Sequence, residues 1–229
     1  MKSPTIALLL AVVVLTALQP ACAQDQDLAD RFVCVYSDSA TEPVPEGVMY
    51  SWTGSRLTGT IRGVPFYLYP WLGYCSCFSG QLGLQACRIS GFVDDITGIF
   101  SRLHVLTSLA KAADIPDGYV AAQLVVTYGD GDESILDLVA GVNTADTNYN
   151  WPENQLCLGH TQVEPALSAK LPDGTIYALV FYAYLDLKAK PIESIGVRMP
   201  STACESRSGC DGEETSELQV MIDGMTFER

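Results

Sequence analysis

Basic residues are scarce in this chain. Thirteen lysines and arginines stand against 27 acids, for a formal net charge of −14. Nucleic acid and anionic membrane faces repel so acidic a protein, so neither is expected as a partner. Histidine is scarcer still, with only His104 and His160. A Ser/His/Asp triad also needs a positioned serine, and no G-x-S-x-G occurs. Walker A and dinucleotide-binding loops are missing. No C-x-x-C pair exists and the histidines are far apart, which argues against zinc. No N-x-S/T acceptor exists for N-glycosylation. The many acids could in principle supply the carboxylate pair of a glycoside hydrolase, but no pair stands out. The expectation is a protein that is not an enzyme. Repeats, heptads, long helical periods and domain linkers are absent too.

What is there begins with a secretory pattern. Lys2 forms a basic start, residues 6–18 are apolar, and Ala21-Cys22-Ala23 is a small-x-small cleavage site. The apolar stretch is short of the roughly 20 residues that a membrane span needs. Residues 1–23 are therefore expected to be a signal peptide and 24–229 a single secreted domain. Cleavage removes Lys2, leaving 12 basic residues against 27 acids. Cys22 leaves as well. Cys34, Cys75, Cys77, Cys87, Cys157, Cys204 and Cys210 remain, and in an oxidising compartment they should mostly form disulfides. Their pairing cannot be read from spacing. The odd thiol is either buried or available to link a second chain.

The fold speaks through period two. Val120, Ala122, Leu124, Val126 and Tyr128 share one face, with Gln123 and Thr127 on the other. Past Gly129-Asp130-Gly131-Asp132, the residues Leu136, Leu138 and Ala140 oppose Asp137, which predicts a hairpin with one dry side. Residues 176–187 are apolar on both faces, which predicts a central strand beneath a second layer. Strands are also expected over 32–36, 48–52, 57–62, 66–72, 102–109, 194–199 and 218–227. Residues 73–86 read as a stapled loop and 201–217 as a polar, acidic loop. Pro116-Asp117-Gly118 and Pro172-Asp173-Gly174 are turns. The class is all-β, a two-layer antiparallel β-sandwich or jelly roll.

Several pieces occur in a suggestive order. They are Arg62-Gly63-Val64-Pro65-Phe66, Leu103-His104-Val105-Leu106, Val126-Thr127-Tyr128-Gly129-Asp130-Gly131 and Leu138-Val139-Ala140-Gly141-Val142-Asn143. The aromatic stretch 176–187 and Pro191-Ile192-Glu193-Ser194-Ile195 follow. In this order they resemble a β-sandwich accessory module, galactose-binding-like in fold, found beside catalytic domains in bacterial glycoside hydrolases. The resemblance covers roughly residues 57–199 and implies a carbohydrate-binding role. Asp146 is followed by Thr147 where the module usually carries Asp-Trp, and the cysteines and the 201–217 loop are additions.

Candidate ligand residues lie in loops, where a rigid sandwich usually carries them. Trp71 and Tyr74 end a dense aromatic run. Tyr149 and Trp151 sit among Asn143, Asp146 and Asn148, whose polar groups can bond sugar hydroxyls while rings stack on C–H faces. Asp130, Asp132 and Glu133 place hard oxygens close together and can hold calcium, or can be solvated acids on a hairpin. Otherwise no cofactor is expected. His104 reads as a satisfied core residue. The expected function is a secreted, non-catalytic protein that binds carbohydrate or another extracellular-matrix component. The alternative is an acidic structural matrix protein that binds calcium or mineral, with a glycoside hydrolase behind both.

Overall fold

The computed structural model describes residues 26–35, 49–51, 53–54, 58–68, 73–76, 85–88, 98–110, 112, 115–147, 160, 163–174, 176–200, 207–208, 214–215 and 218–229. One short helix, α1 (Gln26–Arg31), precedes β1 (Phe32–Cys34). Next come β2 (Met49–Tyr50), β3 (Thr53–Gly54), β4 (Thr58–Ile61), β5 (Val64–Tyr67), β6 (Gly73–Ser76) and β7 (Gln85–Arg88). The long strands are β8 (Arg102–Ala110), β9 (Val120–Tyr128) and β10 (Glu133–Val139). After β11 (Leu167–Lys170) come β12 (Ile176–Asp186) and β13 (Ile192–Met199). The chain closes with β14 (Arg207–Ser208), β15 (Glu214–Thr215) and β16 (Gln219–Glu228).

Two antiparallel sheets make the body. A seven-stranded sheet runs β1-β16-β8-β12-β11-β2, with β6 also paired to β16. A four-stranded sheet runs β10-β9-β13-β7. Alternation decides which side chains lie between them. Leu103, Val105 and Leu109 of β8 meet Leu124 and Val126 of β9, Leu138 of β10, and Ile195, Val197 and Met199 of β13 in one core. Complete burial of a Leu or Phe, as at Leu103 and Phe227, contributes about 1.5–3 kcal/mol each. The β9–β10 hairpin has the expected dry face and pairs Leu136 with Leu124. The all-β antiparallel sandwich is thus the fold of the described residues.

Its second apolar face was less legible. β8 and β16 are buried along nearly their whole length on both sides. The small sheet β3-β4-β5 supplies the extra cover. Ile61, Val64, Phe66 and Leu68 pack on Leu106, Leu167 and Val180 across the outer face of the large sheet. Gly224 of β16 permits that approach, because a Cβ there would lie 2.8 Å from the Tyr67 carbonyl oxygen and 3.3 Å from Leu106. A third layer therefore sits over part of the sandwich.

Three local expectations need correction. Residues 73–76 are not loop but strand β6, paired with β16 through Val220↔Cys75 and Met221↔Tyr74. Residues 26–31, for which the sequence pattern predicted no element, form α1, whose Asp27 and Arg31 complement the helix dipole at opposite ends. The acidic loop at 201–217 contains the two-stranded ladder β14–β15.

Candidate functional site

The outer face of the large sheet exposes one end that the third layer leaves open. The register sets its contents in cross-strand rows. Asp186, Arg102, Glu228 and Phe32 form one row, and Tyr184, His104, Thr226 and Cys34 the next. Tyr182 follows in the row of Leu106. Period two sends all of them to the same side.

A buried relay runs through the middle. His104 is 3% exposed. Its Nδ1 lies 2.6 Å from the Tyr182 hydroxyl and its Nε2 lies 3.0 Å from Glu228 Oε2. An ionised Glu228 only accepts, so Nε2 carries the hydrogen and Nδ1 accepts from the Tyr182 phenol. Arg31 Nε donates to Glu228 Oε1 at 2.9 Å, and its Nη2 bonds the same oxygen. Burial disfavours the imidazolium and holds His104 below the ordinary histidine value, against the pull of Glu228. Burial would raise Glu228, but the bonds from Arg31 and His104 outweigh it and the net shift is downward. Burial raises the Tyr182 phenol, which therefore keeps its proton.

Rings and guanidiniums cover the relay. The Arg62 Cζ lies 5.0 Å from the Tyr182 ring centre, Arg102 lies 4.7 Å from that of Tyr184, and Arg31 5.0 Å from that of Phe32. Tyr182 and Tyr184 are 6.4 Å apart, and His104 stacks on Tyr182. Tyr184 is 50% exposed. Arg102 Nε donates to Asp186 Oδ1 at 2.7 Å, and the Asp186 side chain is 69% exposed. Arg62 sits in the left-handed region at φ 53°, followed by Gly63 at φ 81°. This is the two-residue turn joining β4 and β5, with both residues at positive φ as in a type I′ turn. The surface offers flat rings, forked donors and an accessible carboxylate on a rigid sheet. That set can stack on sugar rings and bond hydroxyls.

Asn143, Asp146, Asp130, Asp132 and Glu133, singled out from sequence, lie elsewhere. Asn143 locks its own turn: its Oδ1 accepts from Val139 N at 2.8 Å and its Nδ2 donates to Asp137 O at 2.9 Å. Asp146 is buried and accepts from Ala112 N at 2.7 Å. Both side chains serve backbone groups. Tyr74 is described only as a member of β6, and Trp71, Tyr149 and Trp151 lie outside the described residues. Asp130 and Asp132 close on Lys190, with Asp130 Oδ2 2.5 Å from Nζ, and Lys188 stands 3.3 Å from Asp132. These bonds lower both carboxyls. Glu133 faces Arg198 at 3.1 Å. The three acids are thus matched by cations of the chain. Among the described residues no group of three or more His, Cys, Asp or Glu is placed to hold a metal.

Cys34 is disulfide-bonded. Cys75 and Cys87 are placed as backbone in β6 and β7, while Cys77, Cys157, Cys204 and Cys210 fall outside the described residues. His160, for which the sequence offered no partner, is 1% exposed, with Nδ1 3.0 Å from Asp117 Oδ1 and Nε2 3.2 Å from Ala112 O. Sequence reasoning did not select Tyr182, Tyr184, Arg62 or Arg102 for a site. The alternation Tyr182-x-Tyr184-x-Asp186 is the signal that could have done so, because it puts two aromatics and an acid on one side of a strand end.

Among the described residues no helix is long and apolar enough to cross a membrane. No protein-family model matches the chain. The chain is similar to integrin beta-like protein B of Dictyostelium discoideum, 31% identical over 126 residues. The match takes in 53% of this chain but only 6% of the length of that protein.

Proposed function

We propose that the protein is a secreted, non-catalytic binding module for carbohydrate of an extracellular surface or matrix, and that it recognises its ligand through Tyr182, Tyr184, Arg102 and Asp186. The observation that carries this reading is the half-exposed Tyr184 ring. A large ring left in water on a sheet is energetically idle until something covers it, and sugar C–H faces suit it. Asp186 and Arg102 beside it offer acceptors and donors to hydroxyls. The resemblance of residues 57–199 to glycosidase accessory modules supports the same ligand class. The match to a protein named as integrin beta-like is compatible with an extracellular role.

A glycan array probed with the purified chain tests the reading. The expected result is binding to a defined set of glycans that Tyr184→Ala abolishes while the melting temperature stays near that of the wild type. No glycan binding, with calcium-dependent adsorption to mineral instead, would favour the acidic matrix protein. That alternative draws little from Asp130 and Asp132, since Lys188 and Lys190 already pair with them.

A further inference from the structure

We infer that the saccharide is anionic, bearing uronic-acid carboxylates that Arg62 and Arg102 receive; this rests on the carbohydrate reading above. In a chain of 13 basic and 27 acidic residues, three guanidiniums converge on one sheet face, each held against an aromatic ring. Arg31 is occupied by the buried relay through Glu228. Arg102 shares an exposed carboxylate, Asp186, and solvent screens that pair enough for a ligand to exchange into it. Arg62 is exposed, and among the described residues no carboxylate pairs with it. Its guanidinium lies over the Tyr182 ring, a contact that holds the cation there without using up its N–H donors.

The position of Arg62 strengthens the case. A type I′ turn favours Asn, Asp or Gly where the backbone is left-handed, and a long side chain there is disfavoured. The arginine is strained and yet aimed at the ring beside the exposed Tyr184. With the two rings 6.4 Å apart, one ligand of a few sugar units reaches both cations. A neutral sugar would desolvate Arg62 and return no counter-charge, whereas a carboxylate accepts two parallel N–H bonds from a guanidinium. The −14 charge of the whole chain repels a polyanion at long range, but that repulsion fades beyond about 10 Å at 0.1 M salt, while contact pairs persist.

The test compares polygalacturonate with the same polymer fully methyl-esterified, which keeps the sugar and removes its charge. Binding is read by calorimetry at about 0.1 M salt. The wild type is expected to bind the acid polymer about tenfold or more tighter. Arg62→Asn suits the turn, so the fold is kept; it should lose most of that advantage. Equal binding of both polymers overturns the inference and leaves the carbohydrate reading standing. Binding of dextran sulfate in preference to polygalacturonate overturns the carboxylate assignment. Binding of neither uronic polymer, together with a blank glycan array, removes both.

Discussion

The phenol oxygen of Tyr182 lies 2.6 Å from Nδ1 of His104, a residue 78 positions earlier in the chain. The bond joins the exposed aromatic surface to a buried histidine. Removing it should loosen the sheet beneath the surface. Tyr182→Phe keeps the ring under Arg62 but leaves Nδ1 buried without a donor. The expected loss is about 1–2 kcal/mol in urea unfolding, with the slope unchanged. A variant as stable as the wild type would show that the bond adds nothing.

Acid should weaken the protein in two stages. His104 and Glu228 both titrate below their ordinary values in the folded state. The unfolded chain then binds more protons wherever the two states differ, so stability rises with pH. The histidine contribution is complete above its ordinary value of 6.5 and is lost as pH falls through the lower folded value. The carboxylate contribution follows, below the ordinary 4.5. Melting curves taken from about pH 7 to pH 4 should fall throughout, and His104→Gln should flatten the upper stage. A melting temperature that climbs on acidification would contradict the network.

Gly141 should resist replacement more than Gly118. Both have positive φ, at 73° and 87°. A Cβ at Gly141 would meet Asp117 Oδ1 at 1.8 Å, while one at Gly118 meets nothing within 4 Å. Asp117 is held by His160, so it cannot swing away freely. Gly118→Ala should cost about 1 kcal/mol in backbone strain. Gly141→Ala should cost roughly 2–4 kcal/mol once the crowding is added. Equal losses in denaturant titration would mean that Asp117 moves aside.

Arg62→Asn should raise stability by roughly 0.5–1 kcal/mol, since Asn accepts the left-handed backbone more readily. Calorimetric melting checks the sign. A more stable but poorer binder is the expected combination, as is common where strain serves a site.

Lys190→Ala should uncover a cation site. Lys190 bonds both Asp130 and Asp132. Calcium is expected to leave the wild-type melting temperature unchanged and to raise that of the variant, because closely set carboxylates then face only Lys188. A calcium response in the wild type equal to that of the variant would show that the lysine does not block the ion.

Local alternation made the sandwich legible. The dry face of β9 and the buried Ile195, Val197 and Met199 of β13 follow from period two alone. β6 escaped because its Gly73 and Ser76 carry no apolar rhythm, and its strand state is set by pairing with β16. The third layer escaped because nothing in residues 58–67 says which face of which sheet they cover. Asn143 and Asp146 looked like ligand residues because a polar side chain looks the same whether it bonds a sugar or a backbone amide. The Tyr182–His104–Glu228 chain spans three strands and could be assembled only from their register.

β16 also governs how the molecule comes to exist. It joins β1, β6 and β8, and its Glu228 is bonded to a side chain 197 residues away. Loops of that length must close before any contact across them repays the lost chain freedom, so assembly is slow and arrives nearly all at once. Until then β8 has a naked edge and two greasy sides, which makes the half-formed chain the sticky species and ties the yield of native protein to how quickly its two distant ends meet.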